Sequence, residues 1–83
     1  MSALRILNEN WSEYDNKKII DHRDRRYFAC DEKWEIDYLI RYIKKHYPYH
    51  NETQILNAIT SCCKTVPSPR PRKEFVECVV SKL

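Results

Sequence analysis

The chain has 83 residues, of which 42% are hydrophobic and 33% charged, and its formal net charge at neutral pH is +3. This length accommodates one hydrophobic core, so we expect a single domain over residues 1–83, and the hydrophobic content excludes a disordered tail. The absence of glycine disfavours the glycine-rich loops that bind phosphates and dinucleotides. It also means that helices are expected to end through proline or asparagine.

The N-terminus and the cysteines bear on the cellular compartment. The apolar run from Ala3 to Leu7 is short and soon meets charge, unlike a secretory signal. No stretch approaches the ~18 apolar residues of a membrane span. We therefore expect a cytoplasmic protein without a membrane partner, in which Cys30, Cys62, Cys63 and Cys78 are reduced. In an exported chain, the adjacent Cys62 and Cys63 would need separate disulfide partners.

Residues 1–30 predict an N-terminal helix or arm. Apolar residues recur at steps of three and four up to Tyr14, which predicts a short helix capped by Ser2. Residues 17–21 and 25–30 are short segments rich in aromatic or β-branched side chains, separated by polar residues. They are interpreted as two small strands, which would form a short two-stranded hairpin, or as an extended arm.

A helical core is predicted over residues 31–83. Its first helix runs from Glu32 to Tyr47, with Asp31 as the cap and Pro48 as the stop. A second helix, from Asn51 to Val66, carries a continuous apolar stripe and starts with a capping-box pattern in which Gln54 reaches back to Asn51. The short connection between the two helices predicts a helix hairpin.

Alternating prolines follow the hairpin and predict a stiff, extended linker before the last segment. Residues 72–83 place Phe75, Val76 and Val79 on one side and Glu74 and Glu77 on the other, which predicts a third helix, although the valines also suit a strand. The predicted fold class is therefore mostly α: a small three-helix domain, formed by the helix hairpin and a C-terminal helix, with the N-terminal helix or arm beside it.

Residues 24–75 resemble a bacterial family of small uncharacterised helical domains, a domain of unknown function. The shared pattern is an acidic and aromatic helix start, a paired-lysine helix end and a second amphipathic helix. The residues that carry it are Arg25, Glu32, Trp34, Glu35, Ile36, Tyr38, Lys44, Lys45, Glu52, Ile55, Ala58 and Ile59. The chain has Tyr47 and Pro48 where that family has a glycine-containing turn. The resemblance implies a bacterial origin and a helical fold, and it implies no activity.

No motif in the chain predicts catalysis. His22, Arg23 and Asp24 spell part of a kinase catalytic loop, but that motif works only within a much larger fold. His46 and His50 precede the paired cysteines, yet Pro48 breaks the helix that would align them as metal ligands. We therefore expect a protein that is not an enzyme and has no catalytic residue, no cofactor and no metal site.

An aromatic row on the first strong helix suggests protein binding. Trp34, Tyr38 and Tyr42 follow one another at i+4 beside the apolar core stripe, and exposed Trp and Tyr patches are typical anchors of interfaces. The competing interpretation is that the N-terminal helix covers them with Leu7 and Trp11. The first functional hypothesis is a protein-interaction or self-associating module, whose partner is another protein or a second copy of the chain in a homodimer.

Basic residues around the proline linker supply the alternative hypothesis. The residues concerned are Lys64, Arg70, Arg72 and Lys73. Two helices followed by a third with a basic start form the outline of a helix-turn-helix, in which such residues contact nucleic acid. The long connection and the nearby Glu74 and Glu77 depart from that outline, and a solvated charged face is the favoured explanation of the cluster.

Overall fold

The computed structural model describes residues 3–83 and is mostly helical, as predicted. In chain order the elements are α1 (Leu4–Leu7), α2 (Ser12–Ile20), β1 (Tyr27–Phe28), α3 (Lys33–His46), α4 (Glu52–Thr65), β2 (Arg70–Pro71) and α5 (Arg72–Ser81). The three predicted helices of the core are therefore confirmed, and the proposed cap Ser2 lies outside the described residues. Within residues 3–83, the helices are too short and too polar for any to cross a lipid bilayer.

Helices α3 and α4 form the predicted hairpin and start differently. The capping box of α4 is confirmed: the Gln54 backbone N–H donates to Asn51 Oδ1 at 2.8 Å, and the Asn51 N–H donates to Gln54 Oε1 at 3.0 Å. The cap predicted for α3 is wrong, because Glu32 and not Asp31 occupies that position. The Glu32 carboxylate does not cap the helix and instead pairs with Arg23 at 2.6 Å.

One core unites the three long helices. It buries Leu39 and Ile43 of α3, Ile55 and Ile59 of α4, and the apolar stripe of α5. The ring of Phe75 in α5 stacks on Phe28 of β1 with centroids 4.4 Å apart. Burial of these side chains supplies the main driving force for folding of this half of the molecule.

Two disulfides link α4 to its neighbours, so the prediction of reduced cysteines is wrong. Cys62 bonds to Cys78 of α5, and Cys63 bonds to Cys30, which precedes α3. Successive residues of a helix are rotated by about 100°, so Cys62 and Cys63 face different parts of the fold. They therefore bond to two different cysteines, as expected for adjacent cysteines in an oxidised chain.

The small sheet joins distant parts of the chain. Strand β1 pairs antiparallel with β2, with Tyr27 opposite Pro71 and Phe28 opposite Arg70. The predicted strand over residues 17–21 is wrong, because most of that segment is helical and belongs to α2. The proline linker supplies the partner strand, a long-range pairing that no local sequence pattern indicates.

The N-terminal segment packs on the core as two helices. The single predicted helix ending at Tyr14 is wrong: the chain turns between α1 and α2, where Asn10 Oδ1 accepts the Ser12 N–H at 2.9 Å. Trp11 is buried in this turn, and its indole N–H donates to the Ile6 carbonyl at 3.0 Å. Together with buried Ile6 and Tyr14, it extends the core formed by α3, α4 and α5.

Helix α2 ends without glycine, proline or asparagine. His22 adopts a left-handed conformation, with φ of 59°. The Arg23 N–H donates to the Lys18 carbonyl at 2.8 Å and the His22 N–H to the Ile19 carbonyl at 3.0 Å. These two bonds form a Schellman motif with histidine in the position that glycine usually occupies.

Candidate interaction surface

A groove with an apolar floor lies between α3 and α4. Its volume is about 460 Å³. Ile36 and Ile40 of α3 and Leu56 of α4 line it, and Leu56 is 43% exposed. The apolar stripes of α3 and α4 are therefore not fully used by the core, and part of each remains open to solvent. We call this opening the α3–α4 groove.

The rim of the α3–α4 groove is acidic. Asp31, Asp37 and Glu52 line it, together with the single basic residue Lys33. Lys33 Nζ pairs with Asp37 across one helical turn at 2.9 Å, which raises the pKa of the Lys33 ammonium. Among residues 3–83, Asp31 and Glu52 form no ion pair. The groove therefore combines an apolar floor with a negative edge.

The predicted anchors Trp34, Tyr38 and Tyr42 lie in an aromatic cluster against α2. Tyr38 is only 7% exposed, and its ring lies 5.5 Å from that of Trp11. The Tyr38 hydroxyl donates to the Asn10 carbonyl at 3.1 Å, and the Tyr42 hydroxyl donates to the same carbonyl. Burial, followed by the hydrogen bond with Tyr42, raises the pKa of Tyr38. Trp11 thus covers much of the aromatic row, and Leu7 is partly buried against the core.

Trp34 keeps an accessible position. It lines a shallow cleft of about 280 Å³ with Lys17 and Arg41, and Lys17 Nζ lies 4.7 Å above its ring. Asp37 lines both this cleft and the α3–α4 groove. The outer face of α3 is therefore bordered by openings on both sides. Tyr38 lines this cleft as well, but Trp34 is only partly buried, whereas Tyr38 is buried.

The basic residues of the nucleic-acid hypothesis do not form one free surface. The Arg70 guanidinium donates to the carbonyls of Val66 and Cys63, at 2.8 and 2.9 Å. Arg72 pairs with Asp15 at 2.9 Å and lies over the Trp11 ring at 4.6 Å. Of these four residues, only Lys64 and Lys73 are exposed. Arg70 and Arg72 thus stabilise the linker and the contact between α2 and α5.

A buried charged network lies beneath α2. Glu35 Oε1 accepts from the Tyr14 hydroxyl at 2.5 Å, from Lys18 Nζ at 3.0 Å and from the Ala29 N–H at 3.1 Å. Lys18 Nζ also donates to the Tyr27 carbonyl at 2.5 Å. Burial and the hydrogen bond to Glu35 raise the pKa of Tyr14. Lys18, Tyr27 and Ala29 also line a cleft of about 280 Å³. The network joins α2, β1 and α3.

The remaining polar side chains suggest no reaction centre. Residues 3–83 contain no group of three or more His, Cys, Asp or Glu side chains placed to hold a metal ion. His46 Nε2 lies 3.5 Å from Glu9. All four cysteines, including the two considered as metal ligands with His46, are in disulfides. His22 and Asp24 lie in the exposed loop after α2, where Asp24 pairs with Arg26 at 2.8 Å.

That loop and the end of α2 form a second exposed patch with both apolar and basic side chains. Ile19 and Ile20 are 54% and 74% exposed, and Arg23, Arg25 and Arg26 follow within six residues. We call residues 19–26 the α2 tip. Bonds between Arg26 and Asp24, which lower the pKa of Asp24 to about 2, hold its loop in shape.

Comparisons with known proteins add no assignment: no family model matches this chain, and neither the curated proteins nor the solved structures provide a match. The resemblance to a bacterial family of small helical domains therefore stays a prediction.

Two features of this surface escaped the sequence interpretation. Leu56 was assigned to the core stripe of α4, but it follows Ile55 by one residue and so points about 100° away from it. Ile19 and Ile20 fall in the predicted strand over residues 17–21, so their exposure at the end of a helix was not predicted. A helical projection of each segment places Leu56 and Ile20 at the margin of the apolar stripe. This marginal position is the sequence signal from which their exposure could have been predicted.

Proposed function

We propose that this protein is a non-catalytic protein-interaction module whose binding surface is the α3–α4 groove and the neighbouring outer face of α3. One observation carries the proposal: an apolar floor that includes 43%-exposed Leu56 is bordered by two carboxylates without ion-pair partners among residues 3–83. Apolar floors with polar rims are characteristic of grooves that accept an amphipathic helix. The negative rim favours a partner with basic residues beside its apolar face.

The aromatic row has a divided role in this proposal. Trp34, which lines an open cleft, is a contact for the partner. Tyr38 and Tyr42 share the Asn10 carbonyl and support the surface from behind. Tyr38→Ala would therefore lower stability as well as binding, whereas Trp34→Ala is the cleaner test of contact.

The absence of catalysis is part of the proposal and rests on the groove's composition. Its described lining contains no histidine, and its cysteine, Cys30, is bonded to Cys63. The groove lining therefore lacks the Cys–His pair of a thiol-based nucleophilic site.

Nucleic-acid binding remains the alternative with less support. Arg70 and Arg72 are engaged within the fold. Lys64 in the last turn of α4 and Lys73 at the start of α5 have no ion-pair partner among residues 3–83. Binding of duplex DNA that weakens steeply with salt and is lost in the Lys64→Ala/Lys73→Ala double variant would favour this alternative, because counterion release sets that dependence.

The disulfides change the inference about the cellular compartment. A cytoplasmic location was predicted from the N-terminal pattern and from the lack of an apolar stretch long enough for a membrane span, and free thiols were expected as a consequence. Two disulfides in one small domain favour an oxidising compartment instead. Alkylation of the native protein before and after reduction, followed by mass measurement, distinguishes the two: four thiols that react only after reduction support the oxidised form.

The proposed groove is tested with a synthetic amphipathic helix made of leucine and lysine. We expect titration of the labelled protein to shift backbone amide resonances around Ile36, Ile40 and Leu56. A leucine–glutamate peptide of the same pattern serves as the ligand control, since the acidic rim should repel it.

Two substitutions on α4 complete this test. Leu56→Glu places a charge on the groove floor and is expected to abolish the shifts. Thr60→Glu places the same charge on an exposed position of α4 that does not line the groove, so binding should persist. Equal binding by both variants, or shifts spread evenly over the molecule, would refute the groove as the binding site.

A further inference from the structure

The α2 tip has the composition of a ligand for the α3–α4 groove. Ile20 is 74% exposed, which makes it the most exposed large apolar side chain among the described residues. Arg25, five residues later in the loop, has no ion-pair partner among residues 3–83, and the same is true of Asp21. Residues 19–26 contain three arginines and two aspartates. The tip therefore presents an apolar knob with a small net positive charge, whereas the groove presents an apolar floor with a negative edge.

The α2 tip is also rigid before any contact is made. The left-handed His22 and the Arg23 N–H bond to Lys18 fix the turn after Ile20. The Asp24 carboxylate accepts the backbone N–H of Arg26 at 2.9 Å and pairs with its guanidinium at 2.8 Å. A preorganised segment loses little conformational entropy when it docks.

The tip and the groove are neighbours on the surface. Arg23 of the tip pairs with Glu32, the residue after Asp31. Asp31 in turn lines both the α3–α4 groove and a second cleft that includes Arg23 and Asp24. When two complementary patches lie side by side, a two-fold axis between them brings each patch of one chain to the other patch of its partner.

We propose that two copies of this chain form a closed two-fold dimer in which the α2 tip of each copy docks in the α3–α4 groove of the other. Ile20 covers the floor at Leu56, and Arg25 approaches the free carboxylates of Asp31 and Glu52. This inference rests on the proposed function and names its partner as a second copy. Each dimer contains the contact twice, so a change in either patch removes both copies of it.

Sedimentation over a range of chain concentrations from about 0.01 to 1 mM, which spans weak to moderate dimers, tests the assembly. The wild-type mass is expected to rise from 10.1 kDa toward twice that value. Ile20→Glu and Leu56→Glu should each leave the monomer. Arg25→Glu, a surface change that leaves the core intact, should weaken the dimer about tenfold or more by setting like charges against the rim.

Mixing the two monomeric variants gives the decisive result. In a mixture of Ile20→Glu and Leu56→Glu chains, a mixed dimer retains one intact contact: the unchanged tip of the Leu56→Glu chain in the unchanged groove of the Ile20→Glu chain. We expect this heterodimer to form, more weakly than the wild-type dimer. A mixture that stays monomeric while the wild type dimerises would overturn the pairing of tip and groove.

The remaining outcomes separate this inference from the proposed function. A wild-type chain that is monomeric throughout, yet binds the leucine–lysine peptide in a Leu56-dependent way, overturns the dimer and leaves the interaction module standing. A monomer that also fails to bind that peptide overturns both. A dimer that survives Ile20→Glu contradicts the proposed contact, and urea unfolding of each variant verifies that it is folded.

Discussion

The two halves of this molecule are stabilised by different means. In the half formed by α3, α4 and α5, aliphatic side chains fill the core and two disulfides meet at adjacent residues of α4. In the half formed by α1 and α2, the contact with α3 depends on Trp11 and Tyr14 and on the buried pair of Lys18 and Glu35. Aliphatic packing tolerates small shifts, whereas a buried ion pair requires precise partners.

The largest expected effect comes from breaking the buried pair. Lys18→Met leaves the Glu35 carboxylate in the core with only Tyr14 and Ala29 as donors. Loss of one partner of a buried ion pair costs about 3–5 kcal/mol. Urea unfolding of the variant should therefore show a midpoint far below that of the wild type.

Two further variants sharpen this first prediction. Lys18→Met/Glu35→Gln removes the uncompensated charge and should recover part of the lost stability. Lys33→Met breaks the exposed pair with Asp37, and we expect no measurable change there, because surface pairs contribute little. If Lys18→Met and Lys33→Met unfolded at the same urea concentration, the buried network would not be what attaches α2.

The second prediction concerns the covalent half. Replacing Cys62 and Cys78 by alanine removes the disulfide between α4 and α5, whose cysteines are 16 residues apart in sequence. Loop-closure entropy predicts a loss of about 3 kcal/mol in the free energy of unfolding. Denaturant unfolding of the double variant measures it, and a loss well below 1 kcal/mol would mean that aliphatic packing alone holds α5 in place.

The same division explains how much the sequence could predict. Helices α3, α4 and α5 follow from local signals: apolar periodicity, the Asn51–Gln54 capping box and the proline that ends α3. Those signals are contained within about four turns of helix, and the fold does not override them. The mostly helical class and the helix hairpin were accordingly confirmed.

The N-terminal half was mispredicted because its determinants are distant in sequence. Lys17 to Ile20 has the composition of a strand, yet Lys18 is held by Glu35, 17 residues away, so the segment is helical. Strand β1 exists only because the proline linker pairs with it. The groove was missed for a related reason: whether Leu56 is covered depends on the angle between α3 and α4, which periodicity does not specify.

The third prediction concerns how the stability of the N-terminal half depends on pH. The pKa of Tyr14 is raised in the folded protein above its unfolded value near 10, mainly by burial and then by the bond to Glu35. The neutral phenol therefore stabilises the fold fully below pH 10, and this contribution is lost as the pH rises further. Above pH 10 the stability should fall by up to about 1.4 kcal/mol per pH unit from this group.

Tyr14→Phe isolates that contribution. The variant is expected to be less stable at neutral pH, because it lacks the hydrogen bond to Glu35. It should also lose stability more slowly than the wild type between about pH 10 and about pH 11.5, a range that starts at the ordinary tyrosine pKa and ends about 1.5 units above it. Urea unfolding at several pH values in this range provides the comparison. Parallel declines for the two proteins would show that Tyr14 does not keep its proton in the folded state.

The smallest expected effect is a gain in stability at the end of α2. His22 holds a left-handed backbone conformation, with φ of 59°, which costs a residue with a Cβ about 1 kcal/mol relative to glycine. His22→Gly should therefore raise the free energy of unfolding by up to that amount, and His22→Ala, which keeps the Cβ, should not. Equal stabilities for the two variants would locate the effect in the imidazole side chain instead. A gain specific to glycine would show that the attachment of α2 by Lys18 and Trp11 is strong enough to impose an unfavourable turn. The conformation of the turn after Ile20 would then be determined by this attachment and not by local sequence preference.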